Sequence, residues 1–120
     1  MEQHIKDILP SRIIRMACEF EGITEQQLET RRRKAEYIMV QRYITYCLMF
    51  LGFSTKMIGK LILRDHASII HYKKGLLDEQ NGKIQNKLRE FRYYMRRNDV
   101  VVPSLENWKE KLTERNIKLN

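Results

Sequence analysis

Apolar residues recur along this chain at helical intervals, and sustained strand-like alternation is absent. Ile13, Ile14, Ala17 and Phe20 follow Pro10, a residue well tolerated in a first helical turn, and Gly22 should close that helix. Thr24-Glu25-Gln26-Gln27 has the form of a capping box and predicts a short helix through Leu28. From Glu36 to Leu51 the pattern is strongly helical, with Val40, Ile44, Cys47, Leu48 and Leu51 on one stripe and Gly52 as the residue after it. Ser54 should cap a helix carrying Met57, Ile58, Leu61 and Ile62; Asp65 should cap the next, with Ile69, Tyr72 and Leu76 inward. Past Gly82, Ile84, Leu88, Phe91 and Met95 predict a further amphipathic helix. Val100 to Pro103 reads as an extended linker, and Ser104 as the cap of a last helix with Leu105, Trp108 and Leu112 aligned.

These elements predict an all-α bundle built around a central helix-turn-helix, two compact helices joined by a few residues. The expected division is a helix-turn-helix domain over 1–82 and a C-terminal helical extension over 83–120, which packs on the domain or makes a dimer contact. The 120 residues and 42% hydrophobic content suit one core and argue against global disorder. No apolar run has the length of a signal peptide or a membrane span, so the expectation is a soluble, cytoplasmic protein without a membrane partner.

Charge narrows the partner. Lys and Arg number 23 against 15 Asp and Glu, a formal net charge of +8, which favours a polyanion. The densest cluster is Arg31-Arg32-Arg33-Lys34, expected as a solvated loop or helix edge. The helix starting at Asp65 turns His66, Ala67, Ser68, His71 and Lys74 outward. A polar first turn of that kind can reach base edges in a major groove, while an alanine can meet a thymine methyl. The plain alternative is an ordinary capped surface helix.

Ile58-Gly59 followed by Arg64-Asp65-His66-Ala67-Ser68-Ile69-Ile70-His71 resembles the signature of the C-terminal DNA-binding domain of DnaA, the bacterial replication initiator. That pattern is an I-G pair, a short gap, R-D-H, two small hydroxyl-type residues, two aliphatics and a His. Ile23-Thr24 to Leu28, the basic run and Val40-Gln41-Arg42 fit upstream, so the likeness spans Ile13 to Leu77. The resemblance implies a Trp-repressor-like helix-turn-helix that binds double-stranded DNA in replication or its regulation, at a site like the DnaA box. It implies that Asp65 and His66 read bases, that Ala67 keeps a methyl contact where the family often has Thr, and that Arg33, or alternatively Arg32, enters the minor groove. Phosphate contacts are expected from Ser68, Lys56, Arg31, Lys34, Gln41, Arg42, Lys60, Arg64, His71 and Lys74. Gln41 replaces the family's usual Arg, and Ile62-Leu63 stand where glycines are common, in a turn one residue shorter. These departures leave a second reading: a protein-interaction module or transcriptional regulator on a DnaA-like fold with drifted specificity. The family's AAA+ ATPase does not fit in this length, so a stand-alone binder is expected, nucleoid-associated and of bacterial, phage or mobile-element origin.

Other chemistry is weaker. Gly52 to Leu61 superficially resembles a phosphate loop, but its glycines are too far apart and Leu61 stands where Ser or Thr should bind magnesium, so no nucleotide is expected. His66 and His71 lack a cysteine pair, and His4, Cys18 and Cys47 complete no ligand set, so neither metal nor cofactor is expected. Cys47 reads as core and Asp78-Glu79 as a solvated helix end, so no enzyme activity is expected. Tyr93-Tyr94 among Arg92, Arg96 and Arg97 could stack on bases, though half-buried tyrosines flanked by arginine stems are the commoner arrangement.

Overall fold

The computed structural model describes residues 2–30 and 32–107. Arg31, Trp108 and Leu112 lie outside the described residues. A short strand β1 (Gln3–His4) and one 3-10 turn (Ile5–Asp7) lead into α1 (Pro10–Glu21), α2 (Glu25–Glu29), α3 (Ala35–Phe50), α4 (Thr55–Leu61), α5 (His66–Leu77), α6 (Gly82–Arg97) and β2 (Val100–Val101). This is an all-α fold, and no helix of the described residues is long and apolar enough to cross a membrane.

The punctuation follows local chemistry. Pro10 opens α1, and Gly22 ends it with φ +74°, a left-handed conformation that costs glycine nothing. Thr24 Oγ1 accepts from Gln27 N at 3.0 Å while Thr24 N donates to Gln27 Oε1 at 2.9 Å, closing the capping box. Ser54, Asp65 and Asn81 cap α4, α5 and α6 through their side-chain oxygens.

The core is organised around α3, and here the single stripe expected from the sequence is too narrow. Twelve of its sixteen residues are buried, including Met39, Tyr43 and Tyr46, because α1, α2, α4 and α5 all pack against it. On its α6 side Tyr43 stacks on Phe91, ring centroids 4.6 Å apart and planes 4° from parallel, with Phe20 edge-on to both. Tyr43 Oη donates to a Glu21 carboxylate oxygen at 2.7 Å, and Tyr46 Oη to Pro103 O at 2.6 Å.

Residues on both sides of position 82 share this core: Ile84, Leu88, Phe91 and Met95 join it from α6, and Val100 and Val102 from the segment beyond. That segment is no free linker. β2 pairs in parallel with β1, Gln3 opposite Val100 and His4 opposite Val101, and Arg92 Nε donates to Val102 O at 3.1 Å. Apolar β-branched residues following a polar turn read locally as linker; only the distant β1 makes them a strand.

Candidate nucleic-acid interface

Two short helices, α4 and α5, meet across a four-residue turn that is held from both sides. Arg64 N donates back to Gly59 O at 2.8 Å, and a Cβ on Gly59 would lie 2.6 Å from Arg64 O. Glycine is therefore required for the close approach. Asp65 then caps α5, accepting from Ser68 N at 2.7 Å. Hydrogen bonds from the Ser68 hydroxyl and backbone hold the exposed carboxyl below the usual aspartate range, with help from Arg33 and Arg64.

Beside this turn lies an open groove of about 750 Å³. One wall is the outer side of α5, with Asp65, Ala67, Ser68 and His71; the other brings in Arg32 and Arg33 from the loop ahead of α3, with Gln41 and Arg42 from α3 itself. Residues more than thirty positions apart in sequence thus face one space. Arg32, Arg33, Asp65, Ala67 and His71 are exposed to solvent and Ser68 is half-buried.

Within the groove lining, Arg64 and Gln41 are engaged in hydrogen bonds to the protein itself. Arg64 Nη2 donates to Leu28 O at 3.0 Å and Thr30 O at 2.7 Å, and Nη1 to Leu63 O at 3.0 Å. With its amide oxygen towards that guanidinium, Gln41 accepts from Arg64 Nη2 and Nε at 2.8 and 2.9 Å, and its nitrogen faces Tyr72 Oη. Gln41 is only 1% exposed. Two residues expected at phosphates are therefore placed as a bracket that ties α2, α3 and α5 together. The buried Gln41 amide needs such partners, since an unpaired one costs on the order of 1–3 kcal/mol. The Gln41–Arg64–Tyr72 set has no sequence signature, because its members come from three separate elements. Burial raises the Tyr72 phenol, opposed by Arg64, Arg42 and Arg33.

Arg42 is different. Its Nη1 lies 3.3 Å from Met39 Sδ, its guanidinium stands 5.9 Å from the Tyr72 ring centre, and its buried Nε has no partner among the described residues. Partial burial lowers its pKa, partly offset by Tyr72 and Tyr43. His66 stands outside the groove lining, on the first turn of α5, with Nδ1 3.0 Å from Thr55 Oγ1. Lys34 leads into α3 with its Nζ 5.7 Å from the Tyr37 ring centre. Lys56, Lys60 and Lys74 are exposed on α4 and α5, away from the groove wall.

Both thiols, Cys18 and Cys47, are free and buried. Cys47 lies fully inside the core, where burial pushes its pKa up; Cys18 is pushed up to about 11 by burial, with Glu25 and Glu19 adding to it. Among the described residues no group of three His, Cys, Asp or Glu is placed to hold a metal ion. Compared with models of known families, with curated proteins and with solved structures, the chain matches none.

Proposed function

We propose that this protein binds double-stranded DNA sequence-specifically, laying the first turns of α5 in the major groove as a DnaA-like helix-turn-helix does. The observation that carries the reading is the groove itself, where Arg32, Arg33 and Arg42 converge on the solvent-facing N-terminal half of α5. In this arrangement His66, through the ring edge away from Thr55, and Asp65 meet base edges, while Ala67 packs on a thymine methyl. Arg33, with Arg32 as the alternative, reaches the adjacent minor groove. Ser68, Arg42 and His71 hold phosphates; Lys34, Lys56, Lys60 and Lys74 add backbone attraction from outside. Gln41 and Arg64 act as positioning residues. They set α5 against α3 from within the groove lining.

The test is fluorescence anisotropy with a labelled duplex carrying a DnaA box against a scrambled duplex at near-physiological salt. Preference of about a hundredfold or more is expected, within the range of specific over non-specific binding. His66→Ala and the cap-preserving Asp65→Asn should erode that preference, each base contact being worth roughly 1–3 kcal/mol. Unchanged preference in both variants would sink the base-reading role.

A second reading has its own support. Met57, Leu61 and Leu63, on and just after α4, are 51%, 43% and 61% exposed, a cluster of large apolar side chains suited to a protein partner on a DnaA-like fold with drifted specificity. Failure to bind any duplex, in selection from random DNA as well as with the box, would favour it.

A further inference from the structure

Tyr93 and Tyr94 are neighbours in sequence and part company in the fold. Tyr94 leans on Phe20, ring centroids 5.1 Å apart, at the edge of the core. Tyr93 stands on the outer face of α6, 64% exposed, with the Arg97 guanidinium 5.2 Å from its ring centre. Helical spacing puts Arg89 one turn before Tyr93 and Arg96 and Arg97 one turn after it, all three exposed. Glu90, the acidic residue of α6, is also exposed and lies one turn before Tyr93, so this face sets three arginines against one carboxylate. No described residue of α6 lines the α5 groove, so this is a separate surface.

An exposed aromatic ring beside arginine planes offers a face that a flat group can cover. Arginines supply phosphate attraction and their own stacking planes, and a ring supplies a base platform. Duplex DNA presents no free base face to such a ring; unpaired bases do. We propose that the outer face of α6, centred on Tyr93 and flanked by Arg89, Arg96 and Arg97, binds single-stranded DNA. The choice of DNA rests on the duplex reading above, whereas the stacking chemistry stands without it.

The test is anisotropy of the full chain with a labelled oligothymidylate of about 16 nucleotides, beside the duplex assay. Tyr93→Ala should weaken oligothymidylate binding about 5- to 150-fold, the range for losing one base–aromatic stack. Tyr93→Phe should retain it, and neither should move duplex affinity. Arg96→Glu with Arg97→Glu should weaken it too and flatten its salt dependence. All these positions are exposed, and a melting curve for each variant reports that the fold is intact. The proposal is overturned if Tyr93→Ala binds like the parent, or if an abasic strand of equal length binds as tightly as oligothymidylate. Arg33→Glu separates the two surfaces: it should weaken duplex binding alone, and loss of both would put the strand in the α5 groove and overturn the α6 assignment. Tyr93-dependent strand binding without duplex binding would leave this inference standing and reject the duplex reading.

Discussion

Gly59 and Leu63 bracket the α4–α5 turn and carry opposite kinds of strain. A Cβ at Gly59 has nowhere to go, because the atom it meets is backbone. Gly59→Ala should therefore destabilise by about 1–3 kcal/mol, the usual cost of forced overpacking. Leu63 adopts φ +56°, a left-handed conformation unfavourable for a side chain with a Cβ, and it is largely exposed. Leu63→Gly should stabilise by about 1 kcal/mol. Urea midpoints at constant m-value read both. Asp65 gives a pH signature. Its pKa is lowered in the fold, so the stability it adds is complete above the ordinary aspartate pKa and is lost as pH falls through the lowered folded value. Asp65→Asn, which keeps a capping oxygen but not the charge, should lower stability at neutral pH, converge with the parent in acid and so flatten the profile across that window. The caps at Thr24, Ser54 and Asp65 were legible in sequence because a side-chain oxygen answers donors two or three residues on. The destination of Arg64 was not, since its acceptors, Leu28 O and Thr30 O, lie 36 and 34 residues away.

Among the elements, α3 and α6 show where helical periodicity stops informing. Both were visible as helices. For α3 the buried surface exceeds one stripe, because tyrosines and a glutamine whose polar ends find partners count as polar in a pattern and as core in the fold. For α6 the inward residues Ile84, Leu88, Phe91 and Met95 are those expected from spacing, yet spacing does not say that Phe91 lies flat on Tyr43. Phe91→Ala should cost about 3–5 kcal/mol, since it removes a fully buried ring from a three-ring cluster. Chemical denaturation would measure it. A cost near that of a surface substitution would mean that α6 contributes little to the core.

At the scale of the whole molecule the +8 charge is spread over more than one face. With about six phosphates engaged, duplex affinity should fall on the order of a thousandfold between 50 and 200 mM salt. Lys56→Glu and Lys60→Glu, outside the groove, should lower the slope of log affinity against log salt by about one each and leave sequence preference intact. A loss of preference in either variant would place α4 at the bases. The sequence alone determined the helices, their caps and the polar first turn of α5, because these depend on hydrogen bonds and spacings that close within one or two turns. The tertiary structure decided the rest: which arginines stay free, which tyrosine faces water, and that Val100 and Val101 form a strand. Each of those outcomes depends on atoms brought near by packing from distant parts of the chain, where a buried donor must find an acceptor and an apolar face must find cover.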